Sequence, residues 1–228
     1  MGRREAILAE MGLAPIWRLR RASPNVNEAE SETPVREARA DVDPAKDWIE
    51  LKQLVSACVK CGLHKTRTQT VFGVGDPRAE WMLIGEAPGA EEDRLGDPFV
   101  GQAGRLLDNM LAAIGLDRRK NVYIANVLKC RPPGNRNPEP EEVAKCSPHL
   151  LRQIELVNPK LILAMGRFAA QTLLETDASI ASLRGRLHRY AGRPCIVTYH
   201  PAYLLRSLPD KAKAWADLVF ARKTIASL

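Results

Sequence analysis

Apolar residues after position 47 fall into short unbroken runs that alternate with segments of helical spacing. Trp48, Ile49, Leu51, Leu54 and Val55 predict a helix that leads into Cys58. WMLIGEA (81–87) reads as a buried strand running into a glycine-rich loop. GRLLDNMLAAIG (104–115) predicts a helix ended by Gly115. NVYIANVLKC (121–130) is a second strand, and PEEVAKCSPHLLRQIELV (140–157) a helix with acidic residues in its first turn, where they suit the helix dipole. KLILAMG (160–166) is a third strand, followed by the helix FAAQTLLE; RPCIVTYHP (193–201) is a fourth strand, and PDKAKAWADLVFARKTIA closes the chain as an amphipathic helix. Strands alternating with helices predict the α/β class: a three-layer α/β/α sandwich around a four-stranded parallel sheet. Ligands in such folds bind beyond the carboxyl ends of the strands. Here those ends carry GEAPG, Asn126, Gly166 and HPAYLLR.

The first 46 residues differ in pattern. REAILAEMGLAPIWRLRR opens with Ile7, Leu8, Met11 and Leu13 at roughly helical spacing, broken by Gly12 and Pro15 before Ile16 and Trp17 in a basic setting. Residues 22–46 hold almost no large apolar side chain and read as a flexible linker. The expected organisation is a docking peptide over 1–21, a linker over 22–46 and one domain over 47–228. No apolar run approaches the ~20 residues of a membrane span, and the N-terminus lacks the apolar core of a signal peptide. The expectation is a cytoplasmic monomer. The net charge of +7 fits a polyanionic partner without requiring one.

Five cysteines are an odd number for a disulfide framework in a reducing compartment, so metal ligation is the better reading for four of them. Cys58 and Cys61 follow the first helix, Cys130 the second strand, and Cys146 lies in the next helix. Four thiolates can close a tetrahedral zinc site or hold a 4Fe–4S cluster, and the spacing alone leaves both open. Either would pin the loop between Cys130 and Cys146, whose Arg131 and Arg136 could face DNA. Cys195, within a strand, reads as an inert buried thiol.

Three blocks, GEAPGAEEDRLGDPFVGQAGRLLDNML, ANVLKCRPPGNRNPEPEEVAKC and HPAYLLR, together with the four cysteines, closely resemble the signatures of family 4 uracil-DNA glycosylases. The resemblance covers about residue 48 to the C-terminus. It implies a DNA-repair hydrolase that flips uracil out of single- or double-stranded DNA and leaves an abasic site, with a 4Fe–4S cluster on Cys58, Cys61, Cys130 and Cys146. It places the uracil pocket at Glu86, Ala87, Gly89, Phe99, Asn126 and His200. The residues make chemical sense in those roles. Phe99 can stack on a pyrimidine. The Asn126 amide offers one donor and one acceptor to uracil's N3–H and O4, a pattern that cytosine reverses. His200 would hydrogen-bond O2 as charge gathers on the leaving base. Ala87 stands where many uracil glycosylases carry an Asp, so the water-orienting residue must lie elsewhere: Asn135 is the family-based candidate, with Glu86 and Glu92 as alternatives. Leu204, Leu205 and Arg206, next to Tyr203, suit a wedge that fills the hole left by the flipped base. No lysine in these motifs is placed to form a Schiff base, which predicts a glycosylase without lyase activity.

Two other readings compete. A related family traps uracil-DNA covalently through a histidine in an inserted loop, but the corresponding segment CRPPGNRNPEPEE has none. A non-catalytic metal module would leave Phe99, Asn126 and His200 coincidental. Separately, residues 3–21 resemble the N-terminal segment of the psi subunit of the bacterial clamp-loader complex, which implies docking on its chi subunit.

Overall fold

The computed structural model describes residues 44–228. The expected docking peptide and residues 22–43 of the expected linker lie outside the described residues. Pro44–Lys46, assigned by the sequence to that linker, already belong to the first helix, α1 (Pro44–Ser56).

Four strands form the centre of the sheet: β2 (Trp81–Gly85), β3 (Val122–Asn126), β4 (Leu161–Met165) and β6 (Arg193–Thr198). They pair in parallel in the order β3-β2-β4-β6. All five residues of β2, β3 and β4 are buried, which is why these strands read as unbroken apolar runs. Two short antiparallel strands, β1 (Val74–Gly75) beside β3 and β5 (Leu187–Tyr190) beside β6, extend the sheet to six. The sequence pattern did not announce either: β1 is two residues long, and β5 has no buried residue.

Alternate residues of each strand feed opposite layers. Met82 and Ile84 of β2 pack with Leu150 and Ile154 of α4 (Pro140–Val157) and with Ala169, Ala170 and Leu173 of α5 (Arg167–Leu174). Trp81 and Leu83 face the other way, toward Leu107 and Leu111 of α3 (Gln102–Ala113) and Leu218 and Ala221 of α8 (Asp210–Ile225). The result is the three-layer arrangement the pattern implies. Three short α-helices, α2 (Ala90–Leu95), α6 (Ile180–Leu183) and α7 (Pro201–Leu204), and two 3-10 turns, Gly62–Lys65 and Pro133–Asn135, complete the described chain. No described helix is long and apolar enough to cross a membrane.

The second strand ends sooner than its apolar run. Beyond Asn126 the chain bends while the Val127 and Leu128 N–H groups donate to the Gly85 and Glu86 carbonyls at 3.0 and 3.1 Å. This bend turns the chain out of the sheet at the position where Asn126 sits.

Candidate active site

The carboxyl ends of β2, β3, β4 and β6 open into one cavity of about 780 Å³. Glu86, Ala87, Gly89, Phe99, Asn126, Asn135 and His200 all line it, so the expected base-binding residues converge from four separate segments.

Phe99 forms one wall. It is buried, and its backbone takes a left-handed conformation, φ 54°. Such a backbone is uncommon for a bulky residue and must be held by its surroundings. Arg118 does so, donating from Nη2 to the Phe99 carbonyl at 3.0 Å and from Nε to Asp108 at 2.5 Å. Gly104 lets α3 lie against this carbonyl, since a Cβ there would come within 1.7 Å of it. At the strand end, a Cβ on Gly85 would meet Asn126 Oδ1 at 2.4 Å and the Phe99 ring at 2.8 Å. Glycine here allows the stacking ring and the reading amide to approach each other across the strand terminus.

Asn126 closes the inner end. It is 3% exposed, and among the described residues its side-chain amide makes no hydrogen bond. A buried amide without protein partners is prepared for a ligand that supplies them.

His200 stands beside Phe99, the two ring centroids 5.4 Å apart. Its Nδ1 accepts from the Ala202 N–H at 3.2 Å, capping α7. A nitrogen that accepts carries no proton, so the neutral ring holds its hydrogen on Nε2 and can donate from there. Burial, helped by Arg206, lowers the His200 pKa to about 4, which keeps the ring neutral at physiological pH.

The acidic residues divide into distinct roles. Glu92 braces the loops on either side of Phe99, accepting from the Gly89 N–H at 3.1 Å and the Val100 N–H at 3.3 Å. Glu92 also lines the cavity. Asp93 is buried and accepts from the Thr68 N–H, while Glu91 is exposed beside Arg94. Glu86 is half-buried in the cavity; burial raises its pKa, and the charge of Arg167 opposes this. Asn135 is exposed on a left-handed turn, φ 55°, with Oδ1 accepting from Arg131 Nε at 2.7 Å. The two arginines expected to meet DNA are therefore both engaged: Arg131 with Asn135, and Arg136 with Glu142 through two bonds of 2.6 and 2.9 Å.

The wedge expectation needs one correction. Leu204 is 1% exposed and packs against Tyr199 and Ala214, so it belongs to the core. Leu205 and Tyr203 are 40% and 38% exposed, and Leu208, which the sequence reading passed over, is exposed as well. Asp210 holds this segment, accepting from the Tyr203 hydroxyl at 2.6 Å and the Ser207 hydroxyl at 2.8 Å.

Cys58, Cys61, Cys130 and Cys146 line a second, small cavity together with Lys129 and His149. Burial pushes the Cys146 thiol up to about 11 and raises Cys130. Arg67 Nη1 donates to Cys130 Sγ at 2.9 Å, and the Lys129 N–H donates to Cys146 Sγ at 3.3 Å. His149 Nε2 is buried with no hydrogen-bond partner. Lys129 is 1% exposed, and burial lowers it to about 8 against the pull of Cys146 and Cys130. An orphaned ring nitrogen, a buried ammonium and N–H donors to sulfur all fit an anionic thiolate-bound group. Lys129, His149, Arg67 and Arg118 were not singled out by the sequence; the one available signal was a lysine inside an apolar run next to a cysteine.

A family model described as the uracil DNA glycosylase superfamily matches residues 72–219. The chain belongs to that superfamily. Within it, the chain is 50% identical over 159 residues to a type-4 uracil-DNA glycosylase of Archaeoglobus fulgidus, covering 66% of this chain and 79% of that protein. It is 46% identical over 170 residues to one of Thermotoga maritima, covering 72% of this chain and 88% of the other, and 44% identical over 181 residues to one of Pyrobaculum aerophilum, covering 75% and 91%. These relatives place it in the type-4 branch.

Proposed function

We propose that this chain flips uracil from DNA into the 780 Å³ cavity and hydrolyses its N-glycosidic bond, leaving an abasic site for base excision repair. The observation that carries this reading is the convergence of Phe99, the unpaired Asn126 amide and the Nε2-protonated His200 on one cavity at the carboxyl edge of the sheet. Phe99 stacks on the extruded base. Asn126 pairs with O4 and N3–H, and cytosine would leave both of its buried groups mismatched. As the N1–C1′ bond breaks, its electron pair moves onto the base, and the His200 Nε2–H stabilises the charge growing at O2. Water adds to C1′, its hydroxyl staying on the sugar and its proton leaving through the cavity. Glu86, with its raised pKa, and Asn135, at the rim, are the residues that would orient this water. Leu205 and Arg206 enter the duplex in place of the flipped nucleotide.

The reading includes a 4Fe–4S cluster held by Cys58, Cys61, Cys130 and Cys146. Its support is the donor set around the thiols. When bound, the cluster supplies structural cross-linking and negative charge; base removal needs no electron from it. Iron and sulfide analysis of purified protein tests this, and zinc in their place would overturn it. On the sequence resemblance alone, residues 3–21 dock on the chi subunit of the clamp-loader complex. Binding to purified chi that is absent, or unchanged by Trp17→Ala, would overturn that part.

The decisive experiment is a gel assay on a uracil-containing oligonucleotide with and without alkali. Wild type should give alkali-dependent cutting, and Asn126→Ala should lose it. No base release by metal-loaded protein refutes the reading, and nicking without alkali or heat refutes the absence of lyase activity.

A further inference from the structure

Lys129 is the least expected side chain near the cavity. It is 1% exposed, lies next to Cys130 and lines the cysteine site, yet its ammonium points its one protein hydrogen bond elsewhere: Nζ donates to the Asn126 carbonyl at 2.8 Å. Its own backbone is fixed at both ends, N–H to Cys146 Sγ at 3.3 Å and carbonyl from the Val71 N–H at 2.8 Å. The side chain therefore spans two sites from a rigid base.

We propose that Lys129 is a positioning residue for base recognition, holding the last peptide of β3 so that the Asn126 amide is fixed for uracil, and tying that amide to the cysteine site. The inference rests on Asn126 as the uracil-reading residue. Asn126 is the last residue of β3, where the chain bends out of the sheet. Its side chain and carbonyl share one Cα, so a shift of this strand end moves both. Recognition by paired hydrogen bonds tolerates displacement of only about 0.5 Å or 10–20°. A brace on the carbonyl is thus a brace on the reading edge.

A neutral donor could make the same bond. Burying an ammonium calls for compensating charge nearby, and the small cavity that Lys129 lines also holds Cys146 and Cys130. Thiolates held by a bound cluster would supply that charge. One cation then serves both centres: it is retained by the sulfur site and spends its hydrogen bond on the reading site.

The test is equilibrium binding, independent of catalysis. Holoprotein is titrated with a single-stranded oligonucleotide carrying 2′-fluoro-2′-deoxyuridine, which resists cleavage, and with the same strand carrying 2′-fluoro-2′-deoxycytidine, whose edge reverses the donor and acceptor that Asn126 reads. Lys129→Met should keep its iron and its affinity for the cytidine strand. Its preference for the uracil analogue should fall about tenfold, the size of one buried hydrogen bond. Lys129→Gln, which retains an N–H donor, should recover part of that preference. An unchanged preference in Lys129→Met, or a Gln variant no better than Met, overturns the proposal. If Lys129→Met fails to fold or loses iron, Lys129→Gln decides alone. With iron bound, a preference near wild type supports the assignment, and a preference reduced tenfold overturns it. Loss of iron in both variants overturns it too, assigning Lys129 to cluster retention only. If wild type itself shows no preference for the uracil analogue, the glycosylase reading fails rather than this one.

Discussion

At His200 the backbone decides the chemistry. The Ala202 N–H claims Nδ1, leaving the proton on Nε2, and burial keeps the ring uncharged. The donor is therefore in place before the substrate arrives and needs no proton from solvent. Loss of that donor should lower kcat by roughly 10²–10³ in His200→Ala while leaving DNA affinity nearly unchanged, the pattern of a group that acts in the transition state. Equal losses in both would contradict it. The same burial has a consequence for stability. The folded pKa, about 4, lies below the ordinary value of 6.5, so the unfolded chain binds the proton more readily. This contribution is fully present above pH 6.5 and is lost as pH falls toward 4, amounting to about 3 kcal/mol. Urea unfolding of wild type and His200→Gln from pH 7 to 4 should show a smaller acid loss in the variant. Parallel curves would mean that the ring titrates normally.

Among the elements, α7 and the segment after it show how neighbouring leucines divide between core and surface. Both Leu204 and Leu205 fit a wedge by residue type, and sequence offers no way to rank them. The helical turn decides: Leu204 faces Tyr199 and Ala214, while Leu205 faces outward. Leu204→Ala should lower stability by about 2–5 kcal/mol, as core truncations do. Leu205→Ala should keep the wild-type melting temperature and lose roughly tenfold or more in uracil release from duplex DNA, with little loss on single strands, where no stack must be refilled. A duplex-specific defect in neither variant removes Leu205 from the wedge. Legibility differed in the same way elsewhere. The four parallel strands were readable because burial on both faces leaves unbroken apolar runs, and the strand ends then placed Asn126 and His200 together. The edge strands were not readable, being too short or too exposed to carry a pattern. No local pattern announced the bracing by Glu92 and Asp93, since their partners, Val100 and Thr68, lie in loops that only folding brings close.

Over the whole domain, the cysteine site joins three stretches of chain that the sheet alone would leave loosely connected. Cys58 and Cys61 follow α1, Cys130 follows the bend after β3, and Cys146 lies in α4. Arg67 extends the junction, since it contacts both Cys130 Sγ and the Ser56 carbonyl while Asp93 holds the adjoining Thr68. The loop bearing Phe99 is thereby linked, through α2, to the same junction. Spacing singled out the four cysteines, but the linkage was not legible, because it runs through Asp93 and Lys129, whose partners Thr68 and Cys146 only folding brings close. If the site is a staple of this kind, removing its metal acts on stability before it acts on chemistry. Iron removal by a chelator should lower the melting temperature by roughly 10 °C, given about 2–4 °C per kcal/mol in a domain of this size. Urea-induced exposure of the segment around Trp48, monitored by fluorescence, should then precede unfolding of the sheet. An unchanged melting temperature on complete iron loss would show that the sandwich is held by its apolar layers alone.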